Sequence, residues 1–189
     1  GIVVLPSDPG RLLNIHQERY EALAEQMENL RYLFTVAKQE PGVKMYEGIE
    51  GMKQVFQMEL DEAREICIFG DGEAFKKAVP TWSEEQAKKR LFKKIKTRLL
   101  LKASPHTIRA AKEMAKNKEK VRYTQIRVLP NAFPIVGGFD IFADKVVLFS
   151  FDEKNIAVVI ESKIIRTMMQ SVFDMLWNMA EVYNHTLLK

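Results

Sequence analysis

The sequence predicts an α/β domain, a mixed sheet flanked by helices, preceded by a long N-terminal helix of coiled-coil character. Three observations predict it. The stretch from Arg11 to Lys38 has no Gly or Pro and carries an apolar heptad. Beyond Pro41-Gly42, short apolar runs alternate with amphipathic stretches. The last third then brings closely spaced strand-like runs before one long apolar helix. Such an order of elements belongs to an α/β fold with helices packed on a sheet. Two parts follow, a linker and dimerisation helix over 1–41 and the α/β domain over 42–189.

The first helix is read from Leu13, His16, Tyr20, Leu23, Met27, Leu30 and Phe34, at spacings of 3, 4, 3, 4, 3 and 4. An apolar seam of period 3.5 suits either a helix packed on its own domain or one paired with its copy, and the narrowness of the stripe favours the pair. Leu13, Tyr20, Leu23, Met27, Leu30 and Phe34 are therefore the expected dimer contacts. Val43 to Tyr46 reads as a strand, and Gly48 to Leu60 as a helix with Ile49, Met52, Val55, Phe56 and Leu60 on one face. Glu65 to Phe69 is a second strand, ended by Gly70-Asp71-Gly72. Ser83 is the expected cap of a charged helix running to Ile95, with Phe92 turned to the core. Thr97 to Lys102 is a strand, and Ser104-Pro105 opens a helix to about Lys118. Strands follow at 125–129, 138–142, 146–151 and 156–160, separated by turn-forming residues. The closing helix, 162–183, carries so wide an apolar stripe that it is expected to be buried on most sides, its four methionines filling core.

The 189 residues suffice for one domain with an appendage. No apolar run approaches the roughly 18 residues of a membrane span. The apolar start, Gly1 to Pro6, lacks the basic leader of a signal peptide, and the absent initiator Met suggests a fragment or processed chain. A single cysteine, Cys67, excludes an internal disulfide framework and suits a reducing cytoplasm. Charge is uneven along the chain. Residues 1–75 hold 7 Lys/Arg against 14 Asp/Glu, residues 76–127 hold 17 against 4, and residues 128–189 hold 5 against 7. Attraction for phosphates, if any, must come from the middle third.

Few residues carry a chemical signature. His16, His106 and His185 are not spaced for metal binding, so neither a metal nor a cofactor is expected. Cys67, between Ile66 and Ile68, reads as a buried structural thiol rather than a nucleophile. Gly70-Asp71-Gly72 is not a phosphate-binding glycine motif. The basic segment 76–127 supports an alternative function, a nucleic-acid-binding module, with Phe92 and Tyr123 as the aromatics offered beside its basic runs for stacking.

Tyr46-Glu47-Gly48-Ile49-Glu50-Gly51, Ile68-Phe69-Gly70, the run from Arg127 to Pro134, the run from Asp140 to Ser150 and Val159-Ile160-Glu161-Ser162 before the Phe173/Trp177 helix occur in one order. Together they resemble the C-terminal domain of TrmB-type transcriptional regulators, over nearly the whole chain. The resemblance implies a phospholipase D-like fold, a helical linker over Arg11 to Phe34 that pairs the subunits, and a winged helix-turn-helix, not found in this sequence, that binds DNA. It also implies an effector-sensing role, with a small molecule such as a sugar as the effector. Enzymes of that superfamily carry H-x-K-x4-D. Laying the Asp on Asp144 puts Gly137 at the His position and Phe139 at the Lys position, so no catalysis is expected.

In open α/β sheets ligands gather beyond the carboxyl ends of strands. Tyr46, Glu47, Gly48, Phe69, Gly70 and Asp71, with Asp140 and Asp144 from the degenerate strand, are therefore the expected ligand site. Three carboxylates would repel a phosphate and favour a neutral polyol or a cation.

Overall fold

The computed structural model describes residue 27 and residues 42–130, 132, 134–151 and 154–187. The chain divides into two units, Gly1–Glu40 and Pro41–Lys189. In the first, Met27 is helical and 43% exposed. The other expected dimer contacts, Leu13, Tyr20, Leu23, Leu30 and Phe34, lie outside the described residues.

The second unit runs β1 (Gly42–Glu47), α1 (Gly48–Glu62), β2 (Glu65–Gly70), α2 (Gly72–Ala78), α3 (Pro80–Phe92), β3 (Lys96–Lys102), α4 (Pro105–Lys116), α5 (Lys118–Val121), β4 (Thr124–Leu129), β5 (Gly137–Phe142), β6 (Lys145–Ser150), β7 (Ile156–Glu161) and α6 (Lys163–Leu187). The seven strands form one sheet in the order β1-β7-β6-β5-β2-β3-β4. β2, β3 and β4 are parallel, and every other pairing is antiparallel. The split follows the connections. Helices join β2 to β3 and β3 to β4, whereas short connections join β5 to β6 and β6 to β7.

β2 is apolar over Ile66-Cys67-Ile68-Phe69 because it is covered on both faces. On one face Ile66 joins Met52, Val55, Phe56 and Leu60 of α1, with Phe142, Val147, Phe149 and Val159. On the other, Cys67 joins Leu100, Phe139, Ile141 and Val146 beneath Phe173, Trp177 and Ala180 of α6. Two arginines fasten α6 to the parallel strands. Arg98 donates to Asp174 at 2.8 Å and lies over the Phe173 ring at 5.1 Å. Arg127 donates to the Trp177 carbonyl at 2.7 Å and covers that indole at 4.5 Å. Near its end, Asn184 accepts from the Val128 amide and donates to the Val128 carbonyl, both at 2.9 Å, closing the outer edge of β4.

Local signals placed most boundaries. Ser104 accepts from the Thr107 amide at 3.1 Å and caps α4, as its sequence context predicts. Three expectations fail. The charged helix begins at Pro80 rather than at Ser83, because Pro occupies its first turn. Phe92 is 89% exposed, since α3 ends on it and the chain turns through Lys94 in left-handed geometry, φ 57°. The closing helix is not buried on most sides. It lies on a single sheet face, leaving Ile164, Met168, Met175 and Met179 on its outer side. No helix among the described residues is long and apolar enough to cross a membrane.

Candidate ligand-binding site

Where β2 and β3 end, the sheet parts from α3 and α4 and leaves a cavity of about 300 Å³. Its walls are apolar. Phe56 of α1, Phe75 of α2, Leu99 and Leu101 of β3, Ile126 of β4, and Phe149 and Phe151 from the β6 end line it. The aromatic side is rigid, because Phe56 stacks on Phe149 at 5.1 Å and meets Trp82 edge-on at 4.9 Å. The mouth is polar. Asp71 caps α2 by accepting from the Glu73 and Ala74 amides at 2.9 and 3.1 Å. It also meets the Lys102 ammonium at 3.4 Å, with His106 and Lys76 also on the lining.

Two charged groups on the lining belong to a buried cluster. Asp140 sits mid-strand in β5 and Arg90 on the last turn of α3, 5% and 9% exposed. Behind them lie Glu59 of α1 and Gln86 of α3, each 1% exposed. Burial is the largest influence on both carboxyls. It pushes Glu59 well above the usual carboxylate range, aided by the facing Asp140 and opposed by Arg90. It pushes Asp140 up to about 7, against the hydrogen bond from Glu59 and the Arg90 charge. Burial also lowers Arg90, while the two carboxyls hold it up. Burial thus favours the protonated form of both carboxyls, and the facing pair titrates together. Glu59 Oε1 and Gln86 Nε2 have no hydrogen-bond partner among the described residues.

Of the expected ligand residues, the structure brings Phe69, Gly70, Asp71 and Asp140 to this cavity. It does not bring Tyr46, Glu47, Gly48 or Asp144. The first three stand where β1 meets α1, on the edge of the sheet, with β7, β6 and β5 between them and β2. Their glycine has a backbone reason: Gly48 has φ +70°, and its amide donates to the Asn155 carbonyl at 2.9 Å. Glu47 is exposed and makes no side-chain cap of α1. Asp144 lies in the turn between β5 and β6, at the other end of β5 from Gly138. Its side chain is 59% exposed and 4.0 Å from Lys163. Lys145 pairs instead with Glu62 and Glu161, at 2.6 and 3.6 Å.

Apolar walls and a guanidinium beside an acid of near-neutral pKa suit a small, mainly apolar molecule with one polar end. Glu59, Gln86 and Arg90 were not among the expected site residues, although their positions carried a signal. Glu59 falls inside the apolar stripe Met52, Val55, Phe56 and Leu60, where a solvated carboxylate has no place.

Gly137 and Phe139 alternate with the cavity-lining Gly138 and Asp140 along β5, so they face the α6 side. Phe139 stacks on Phe69 at 4.8 Å. A Cβ on Gly137 would stand 2.5 Å from the Phe149 carbonyl oxygen, so this backbone has no room for a side chain there. Cys67 is 2% exposed, its thiol raised by burial and contacted by Arg98 at 3.2 Å, which makes it a packing residue.

No protein-family profile matches this sequence, and no curated protein matches it. Among solved structures, the fold is similar to that of TrmBL2, described as an archaeal chromatin protein that shows a novel mode of DNA binding. The TM-score is 0.54 at 21% identity, over 90% of this chain and 66% of that one. This chain therefore spans just under two thirds of that protein's length. Nuc, a phospholipase D family member from Salmonella typhimurium, matches at a TM-score of 0.49 and 14% identity, over 74% of this chain and 95% of that one. NucT from Helicobacter pylori matches at 0.45 and 13%, over 74% and 97%. What the chain shares with TrmBL2 is its fold, here an α/β domain on a mixed seven-stranded sheet.

Proposed function

We propose that this chain is the non-catalytic, effector-binding and dimerising part of a TrmB-like transcriptional regulator that works in the cytoplasm. Its DNA-binding head would be a winged helix-turn-helix outside this sequence. The observation that carries the reading is the apolar cavity with the Glu59–Asp140–Arg90 cluster at its wall. Such a site selects a small ligand by shape and fixes one polar end, through Arg90 as donor and Asp140 as donor or acceptor according to its proton. The absence of catalysis is supported by Gly137 and Phe139, which offer no nucleophile and no cation and face away from the cavity. Dimerisation rests on the heptad of residues 13–34.

The cavity reading is tested by thermal shift with indole, benzoate and maltose as probes. A compound present at about 100 times its Kd stabilises the native state by about 2.7 kcal/mol. Indole or benzoate should raise the melting temperature and maltose should not. Ala110→Phe, which fills the cavity from α4, should abolish the shift. A maltose response, or an unchanged shift in the Ala110→Phe variant, would remove the assignment. Hydrolysis of bis(p-nitrophenyl) phosphate would overturn the non-catalytic reading.

A further inference from the structure

Opposite the cavity, at the other end of the parallel strands, lies a second surface. β2, β3 and β4 all begin there, and basic residues precede or open each of them: Arg64 before β2, Lys94 and Lys96 at β3, Lys120 and Arg122 before β4. Backbone bonds hold these segments side by side. The Lys96 amide donates to the Arg64 carbonyl at 3.0 Å, and the Thr97 amide to the Tyr123 carbonyl at 2.7 Å. Neighbouring strands lie about 4.8 Å apart, so the three strand starts fit within roughly 10 Å. All five cations are exposed, and none forms an ion pair with another described residue. Three acids nearby are already engaged. Asp61 meets Lys93 at 3.0 Å, Glu65 meets Arg98 at 3.2 Å, and Glu62 meets Lys145 at 2.6 Å.

Beside these cations stands Phe92, 89% exposed, the last residue of α3. The chain folds back directly after it, with the Lys94 amide bonded to the Leu91 carbonyl at 3.0 Å. Leaving a phenyl ring in water forgoes the stabilisation its burial would bring. The other aromatic at this end, Tyr123, is partly buried with Arg122 5.7 Å from its ring, so the open ring face here is that of Phe92.

We propose that this end of the sheet binds single-stranded nucleic acid, its phosphates along the five cations and one unpaired base stacked on Phe92. Cations alone would serve a duplex equally well, because a duplex presents phosphates and hides its base faces. An exposed ring among them offers a stacking face that an unpaired base can use and a duplex cannot. The site shares no residue with the cavity and does not depend on it.

Fluorescence anisotropy of the whole chain tests this. The probes are labelled oligo(dT) of twelve nucleotides, its duplex with oligo(dA), and polyglutamate, between 50 and 300 mM salt. Five phosphate contacts on a single strand give a log–log salt slope of about −3.5. Oligo(dT) should bind with about that slope and more tightly than the other two. Phe92→Ala should weaken it about ten-fold with unchanged slope and melting temperature, and Phe92→Trp should restore it. Replacing Lys94, Lys96 and Arg122 together by Ala should flatten the slope by about 2. No binding at 50 mM salt would overturn the proposal, as would an inert Phe92→Ala change. So would duplex or polyglutamate bound as tightly as the single strand.

Discussion

Replacing Asp140 by Asn removes the titrating carboxyl from the cavity wall and keeps its volume. In the folded chain Asp140 moves from its ordinary 3.8 up to about 7. One unit corresponds to 1.36 kcal/mol, so the displacement is worth at most about 4 kcal/mol. Its sign follows from where the proton resides. Between pH 4 and 7 the folded state holds a proton that the unfolded state has released, so stability falls as pH rises through that window. It levels off above the folded value, where Asp140 is ionised in both states. Glu59, also raised, adds in the same direction. Asp61, lowered by its hydrogen bonds to Gln57 and Lys93, titrates below this window, and the Cys67 thiol, raised by burial, titrates above it. Urea unfolding at fixed ionic strength from pH 5 to 8.5 is the assay. The native chain should lose about 2 to 4 kcal/mol over that range. Asp140→Asn should lose less than the native chain, keeping only the share that Glu59 carries, which leaves the variant relatively more stable at alkaline pH. A native chain more stable at pH 8.5 than at pH 5, or an Asn variant of equal slope, would refute the buried acid pair.

Three further outcomes follow from other contacts. Gly137→Ala puts a methyl 2.5 Å from a backbone oxygen of β6 and should cost about 2 kcal/mol or more in denaturant unfolding, the range of overpacked cores. A smaller loss would mean that the β5–β6 approach is looser than described. Asn184→Ala unpairs the amide and carbonyl of Val128 and should cost about 2 kcal/mol, with hydrogen exchange of the Val128 amide accelerated beyond that of its neighbours on β3. Leu23→Glu with Leu30→Glu places charges in the heptad seam and should turn a dimer into a monomer by sedimentation at tens of micromolar. A chain that is monomeric before substitution would end the dimer proposal.

The strands were legible because Gly-Asp-Gly, Asp-Lys and Asp-Glu-Lys-Asn punctuate short apolar runs, and those signals act locally. Strand order was not legible. Tyr46-Glu47-Gly48 and Phe69-Gly70-Asp71 look alike as strand ends, yet β1 and β2 stand three strands apart. That distance separates Tyr46, Glu47 and Gly48 from the cavity, while Asp144 lies at the other end of β5 from it. The exposed side of α6 was hidden for a related reason. Periodicity counts apolar residues on a helix but does not say how many layers will cover them. The Glu59–Arg90–Asp140 cluster combines both problems. Glu59 stands out within the apolar stripe of α1, but only the packing of α1 and α3 on β5 brings it together with Arg90 and Asp140.

The position of β1 has a consequence for how the chain acquires its fold. β1 comes first of the seven strands, yet its partner in the sheet among the described residues is β7, through Gly42↔Glu161 to Glu47↔Ile156. During synthesis Val43 and Met45 therefore leave the ribosome long before the strand they hydrogen-bond to. Closing so long a loop is entropically slow, while β2, β3 and β4 join through nearer connections. The parallel half can condense first, and β1 docks last onto an antiparallel half already built. Until then an apolar strand without its ladder is open to pairing with other chains, which makes this early segment the part of the molecule most in need of a chaperone.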